Sequence, residues 1–325
     1  MQDQVLEFCK VSGISGKLEI VQLRAGRNSA VFKILQGENA WVVKKYYSNP
    51  NDQRDRLGVE FDFLRFMQRN LISGVPIPIA KNNKLLMALY SFLPGQKPKE
   101  ITVDFINQAA NFIVEINAFK DEFLIKNSSY AVDACANNLD YFKRIDERLQ
   151  ILRYIDSSRK ENQDAVSWIK NTLEPAWLKF CRNFELSGGV RGLSPPHLIY
   201  SPSDFGFHNT LDDNGRLLFV DFEYAGFDDL TKLTSDFICQ PEIPIMSAQS
   251  ELFVEILAGS LKYPDLHKKV QLLLPLHRVK WCCILLNAFN PLNQKRMLHA
   301  GIAKHGLLDM QLEKAKIYFK TYLAG

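Results

Sequence analysis

Between Leu18 and Tyr46 apolar residues recur at the short period of extended chain, and from Arg56 onward most of them recur at helical spacing. Leu18 to Leu23 reads as one strand, and Arg24 to Ser29 as the turn after it. Ala30 to Leu35 and Ala40 to Tyr46 read as a hairpin about Gly37-Glu38-Asn39. Leu57, Leu64, Met67 and Leu71 then predict a helix from Arg56 to Asn70. Pro76 and Pro78 break that pattern, Lys84 to Phe92 returns to strand character, and Leu93-Pro94-Gly95 marks a boundary. Beyond it, Phe105, Ala109, Phe112, Ile116 and Phe119 keep to one helical face, as do Leu139, Phe142, Ile145 and Leu149. Trp168 to Phe184, Glu251 to Leu261 and Val270 to Phe289 read as further helices. The one exception is a β island from Thr210 to Glu223. The pattern predicts an α+β chain with a small β-rich N-lobe over 1–93 and a larger, mostly helical C-lobe over 94–325.

Composition narrows the class without naming a function. The 325 residues are 46% hydrophobic and 23% charged, which excludes wholesale disorder and suits two packed lobes. A net charge of +4 is too mild for a dedicated nucleic-acid binder. Six cysteines without a Cys-x-x-Cys pair point to reduced thiols, not to a disulfide framework or a metal site. The N-terminus has no apolar segment of signal-peptide length, and no apolar run is expected to approach the ~20 residues of a membrane span. The expectation is a cytoplasmic protein that binds neither membrane nor nucleic acid; its oligomeric state cannot be read.

The stretch from Ser201 to Glu223 carries the most chemistry. Asp213-Asn214-Gly215 is a tight-turn signal between two strand-like flanks. If those flanks pair, Asn209 at the entry and Asp221 at the exit lie side by side. An amide oxygen beside a carboxylate suits Mg²⁺, a hard cation that prefers oxygen ligands. Asp204 precedes Asn209 on the loop leading in, from where a carboxylate can reach an acceptor hydroxyl and take its proton.

A second set lies nearer the N-terminus. Lys44 follows Trp41-Val42-Val43 in a strand, and Lys45 points to the opposite face. Glu60 falls on the apolar face of the predicted helix, where an unpaired carboxylate costs several kcal/mol. Lys44 is its expected partner, and such a pair presents an ammonium to nucleotide phosphates. Gly26 with Arg27, Asn28 and Ser29 can turn backbone amides toward phosphate.

These residues together resemble the aminoglycoside phosphotransferase and choline kinase superfamily, which shares the protein-kinase fold. The likeness runs over most of the chain through Gly26-x-Asn28, Val-Val-Lys44, Gly58-Val-Glu60, Asp204-x4-Asn209 and Asp221-x-Glu223. The resemblance implies ATP and Mg²⁺ as cofactors, Lys44 on the α/β-phosphates, and Glu60 holding Lys44. It further implies Asp204 as catalytic base, Asn209 and Asp221 as metal ligands, and Glu223 as a second acidic position at the metal. Tyr90 to Leu93 matches the hinge that binds adenine, with Ser91 and Leu93 as its contacts. The family usually has His and then Gly before the catalytic Asp; here Pro202 and Ser203 stand in those places. His208 is expected to make a structural hydrogen bond.

For the acceptor, eleven basic residues stand against five acidic ones from Glu251 onward, which disfavours a polycationic aminoglycoside. Arg278 and Trp281, three apart on a predicted helix, suit a phosphorylated or carboxylated sugar-like molecule. The leading expectation is an ATP-dependent kinase acting on a hydroxyl of a small metabolite, preferably a sugar or sugar derivative. Aminoglycoside transfer, choline or amino-alcohol phosphorylation, and a nucleotide-binding pseudokinase are the alternatives.

Overall fold

The computed structural model describes residues 1–23, 29–49, 52, 54–120, 124–125, 128–299 and 306–324. Gly26 and Asn28 lie outside the described residues. The chain opens on a helix that periodicity did not reveal, α1 (Gln2–Val11), and then builds a five-stranded antiparallel sheet. Its strands are β1 (Glu19–Leu23), β2 (Ser29–Gln36), β3 (Asn39–Tyr46), β4 (Pro78–Asn82) and β5 (Met87–Ser91), in spatial order β1-β2-β3-β5-β4. Pro78 breaks a helix but can open an edge strand, because its missing N–H faces away from the ladder. That is why β4 was not foreseen.

Between β3 and β4 comes α2 (Arg56–Arg69), close to its expected bounds. Asp55 caps it by accepting a hydrogen bond from the Gly58 N–H at 2.8 Å. Leu57, Phe61, Leu64 and Met67 bury one face, each worth about 1.5–3 kcal/mol against exposure. Glu60 is buried on the same face.

The chain leaves the sheet through Leu93-Pro94-Gly95 and is at once stitched to a second hairpin. Gln96 N–H donates to the Asp212 carbonyl at 3.0 Å, and Asp212 N–H donates back at 2.7 Å. Gly95 has φ +109°, and a Cβ there would stand 2.7 Å from the Asp212 oxygen, so this close crossing needs glycine.

The larger lobe contains α3 (Val103–Ala118), α4 (Asp140–Arg153), α5 (Lys160–Trp168), α6 (Glu174–Leu186), α7 (Leu230–Cys239), α8 (Ser247–Ser260), α9 (Leu266–Leu285), α10 (Pro291–His299) and α11 (Leu307–Tyr322). One π-helical turn, Ile169–Leu173, joins α5 to α6. Two small two-stranded sheets interrupt the helices: β6 (Leu198–Ser201) with β9 (Gly226–Asp229), and β7 (Thr210–Asp213) with β8 (Arg216–Phe219). One core runs across both lobes, from α2 through α3 to β7–β8; Phe112 stacks on Phe219 at 4.0 Å. A second core holds α4, α6, α9 and α11 together, and a third seats α1 on the β-sheet. The segment from Leu266 to Phe289 is long and apolar enough to cross a membrane, but 67% of its most apolar window is buried inside the molecule. It packs as the central helix of the larger lobe.

Candidate active site

Hairpin geometry assembles one side of the site. Asp213 pairs with Arg216 across Asn214 and Gly215, whose φ values are both positive, +54° and +90°. That is what a two-residue hairpin turn demands. Thr210 pairs with Phe219, and the Val220 N–H donates to the Asn209 carbonyl at 3.0 Å. Asn209 and Asp221 are thus brought to the same end of the hairpin, at the mouth of the interlobe cleft. Asp221 holds φ +73°, costly for a residue with a Cβ and sustained here by the surrounding contacts.

The sheet and α2 supply the other side. Lys44 Nζ lies 2.8 and 2.9 Å from the two Glu60 oxygens and 2.9 Å from Asp221 Oδ1. Burial by itself lowers the Lys44 pKa, but Asp221, Glu60 and Glu223 outweigh it and hold the ammonium well above its ordinary range. Glu60 also accepts from Tyr46 Oη at 2.7 Å and from the Phe222 N–H at 3.3 Å. Four donated hydrogen bonds leave Glu60 little capacity for anything else. Lys45 turns away and donates to the Leu85 carbonyl at 2.6 Å.

Glu223 is buried beside this cluster. Its carboxylate accepts from Ser29 Oγ at 3.2 Å and lies 3.9 Å from Arg56 Nε. Burial, then repulsion from Asp221, pushes its pKa up to about 7. Oxygen atoms of Glu60, Asp221 and Glu223 all lie within 4.8 Å of one another. A hard divalent cation fits this donor set. With Glu60 already taken, Asp221 and Glu223 remain as carboxylate ligands. Asn209 donates its amide nitrogen to the Asp204 carbonyl at 2.9 Å, which leaves its Oδ1 as a third oxygen.

Asp204 stands on the loop after β6, with its side chain 42% exposed and 3.1 Å from His208 Nε2. Burial would raise its pKa, but His208 prevails and holds the carboxyl below its usual value. The same contact raises His208 against the lowering effect of burial. Ser203, just before Asp204, takes φ +69°, a left-handed conformation natural to glycine. Ser203→Gly should therefore stabilise the protein by up to about 1 kcal/mol, the relieved strain being partly offset by the freer unfolded chain. Denaturant midpoints at unchanged m-value check this.

One cavity of about 870 Å³ joins Lys44, Glu60, Asp204, His208, Asn209 and Asp221, though not the buried Glu223, and continues into the helical lobe. The end between the sheet and the hairpin has Leu23, Val31 and Val42 on the sheet side and Leu211 and Val220 on the hairpin side. Ser91 and Leu93 line the same wall. The Ser91 N–H is used, donating to the Ile77 carbonyl at 2.9 Å, so Ser91 cannot offer that donor to a base.

The helical end corrects the expectation about basic residues. Among the described residues, Lys280 is the one of the eleven C-terminal basic positions that lines the cavity. Arg278 donates to Tyr318 Oη at 2.8 Å and lies 3.8 Å from the Tyr322 ring centre, while Trp281 lines the cavity. Three residues advance a helix by about 300°, and the remaining 60° suffices to turn the two into different grooves of a helix packed all round. Sequence reasoning missed Arg144, Arg148, Lys232 and Asp236, which do line this end. The spacing of Arg144 and Arg148, four apart on one helical face, was the available signal.

Residues 19–239 match the model of the phosphotransferase enzyme family. No curated protein sequence matches the chain. Among solved structures, it is similar to a spectinomycin phosphotransferase in complex with ADP and spectinomycin, at 12% identity and a TM-score of 0.63, over 96% of this chain and 98% of the other. An ethanolamine kinase of Plasmodium vivax is 9% identical, with a TM-score of 0.62, over 96% of this chain and 85% of that one. A choline kinase of Streptococcus pneumoniae is 12% identical, with a TM-score of 0.62, over 99% of each chain. At such identities these likenesses establish the fold, a protein-kinase-like arrangement of two lobes.

Proposed function

Because the chain belongs to the phosphotransferase enzyme family, we propose that it transfers the γ-phosphate of Mg-ATP to a hydroxyl of a small metabolite, preferably a sugar or sugar derivative. The observation that carries this reading is Lys44, bonded to both Glu60 and Asp221 in the cavity that Asp204 lines. Structural relatives crystallised with ADP, as the spectinomycin phosphotransferase was, support the choice of nucleotide.

In this reading Glu60 and Tyr46 fix the Lys44 ammonium against the nucleotide phosphates. Adenine lies in the apolar slot beside Leu93. Asn209, Asp221 and Glu223 would hold the metal, which would supply charge neutralisation at the nucleotide phosphates. Asp204 orients the acceptor hydroxyl and takes its proton as the new P–O bond forms and the bond to ADP breaks. His208 positions Asp204. Catalysis then comes from placement and electrostatics, with no covalent enzyme intermediate.

The test is transfer of labelled γ-phosphate from Mg-ATP to separate pools of sugars, sugar derivatives, amino alcohols and aminoglycosides. ADP release that depends on one pool supports the kinase and names the acceptor class. Stable label on the protein itself contradicts the mechanism, and nucleotide binding without transfer to any pool favours a pseudokinase.

A further inference from the structure

The helical end of the cavity is built from buried charge. Lys232 and Lys280 are 4% and 5% exposed, yet both line it. Lys280 donates to Asp236 at 2.6 Å. Lys232 donates to Asp228 at 2.6 Å and lies 3.5 Å from Asp236. His277 adds a contact to Asp236 at 3.2 Å. On the facing helix, Arg148 bonds Asp133, and Arg144 donates to Glu147 at 3.2 Å and to the Ala134 carbonyl at 3.4 Å. Each of these carboxylates is therefore already answered by a cation.

The donors are not exhausted in the same way. The bond from Arg148 to Asp133 uses one of five guanidinium N–H groups. Arg144 Nε is buried without a partner among the described residues. So is the indole Nε1 of Trp281, a donor with no acceptor capacity, on a side chain 9% exposed in the cavity wall. A buried donor left unmatched costs about 1–3 kcal/mol. A ligand rich in acceptor oxygens removes that cost once the Arg144 and Trp281 side chains turn these donors toward it, whereas an ammonium meets, among the described residues of this end, carboxylates already paired with cations. Guanidinium forks four residues apart suit planar or tetrahedral oxyanions.

We infer that the acceptor carries an anionic group, a carboxylate or a phosphate monoester, bound by Arg144, Arg148 and the Trp281 indole N–H while its hydroxyl faces Asp204. This rests on the proposed kinase reading for the hydroxyl, but the anion site itself is testable without turnover. It sets the protein apart from relatives whose names record choline, ethanolamine or spectinomycin as ligands.

The experiment is titration of the full chain, saturated with Mg-ADP, against glucuronate, glucose 6-phosphate, glucose, choline and kanamycin, followed by calorimetry and tryptophan fluorescence. One or both anionic probes should bind about 10- to 100-fold more tightly than glucose, and the cations weakly. Which anion wins separates carboxylate from phosphate. Trp281→Phe should weaken the anion about 3- to 10-fold, and Arg144→Gln about 10-fold or more, with Mg-ADP affinity unchanged. Arg148→Lys keeps a cation beside Asp133 but loses the fork, and should weaken the anion without unfolding the protein. Tighter binding of glucose or a cation, no binding of either anion, or wild-type anion affinity in all three variants overturns the inference. Failure to bind Mg-ADP would instead strike the kinase reading, and anion binding would still be read on its own.

Discussion

Asp204→Asn is expected to lower kcat by about 10²- to 10⁴-fold while nucleotide affinity stays within about twofold. Asparagine has the same shape and can still meet His208, which lies 3.1 Å from Asp204 Oδ1. The bond from Asn209 goes to the Asp204 main-chain carbonyl, so the substitution does not touch it. What disappears is a carboxylate able to take the acceptor's proton. Single-turnover transfer measured beside calorimetric ADP binding separates the two effects. Unimpaired turnover would remove Asp204 from the chemistry, and loss of both activities would mean that the loop had collapsed.

His208→Asn tests the positioning of that carboxylate. It should lower kcat by about tenfold and leave KM for ATP near its original value, since the contact orients a base that other bonds still hold. A change confined to KM for ATP would place His208 in nucleotide binding instead.

How much of this was readable depends on where the signal was local. The hairpin from Thr210 to Phe219 declares itself through Asp213-Asn214-Gly215, and it fixes Asn209 and Asp221 by register. Lys44 and Glu60 could be paired in advance because strand and helix periodicity set both faces, and a buried carboxylate demands a cation. Helix α7 gave no such signal. All ten of its residues are buried, so it has no polar stripe to mark a period, and its Lys232 and Asp236 look like surface residues until their partners are seen. Strands β6 and β9 are four residues each, and their pairing spans the whole segment from Pro202 to Ala225. The helical end of the cavity collects side chains from α4, α7 and α9, a convergence that only tertiary packing creates. Counting charge by sequence segment therefore could not show which basic side chains reach the cavity.

Ser203 shows the opposite case, where a residue with a Cβ holds a conformation natural to glycine. The φ of +69° keeps the left-handed turn before Asp204 without glycine. The Ser203 N–H donates to Ser201 Oγ at 3.0 Å, and the Phe205 N–H donates to the Ser203 carbonyl at 2.8 Å. Those two bonds offset part of the strain, so the loop holds its conformation by local hydrogen bonding.

Lys44→Met should cost about 3–5 kcal/mol of stability, because it strands a buried carboxylate instead of removing a pair. Glu60 is 2% exposed and would retain its bonds from Tyr46 and Phe222 but lose the countercharge. Asp221 would lose its ammonium at 2.9 Å as well, with Glu223 close by. Three carboxylates within 4.8 Å of one another then repel, and a divalent cation becomes the natural replacement for the missing charge. Phosphate transfer should fall by at least about 100-fold, since the charge directed at the nucleotide is gone. Melting curves in chelator and in excess Mg²⁺ give a readout independent of activity. Mg²⁺ should raise the midpoint of Lys44→Met by more than it raises that of the wild type. Glu60→Gln provides the contrast, because it lowers the negative charge and should make the midpoint less responsive to Mg²⁺. Equal responses in all three proteins would mean that Asp221 and Glu223 do not form a cation site, and the metal would have to be held elsewhere.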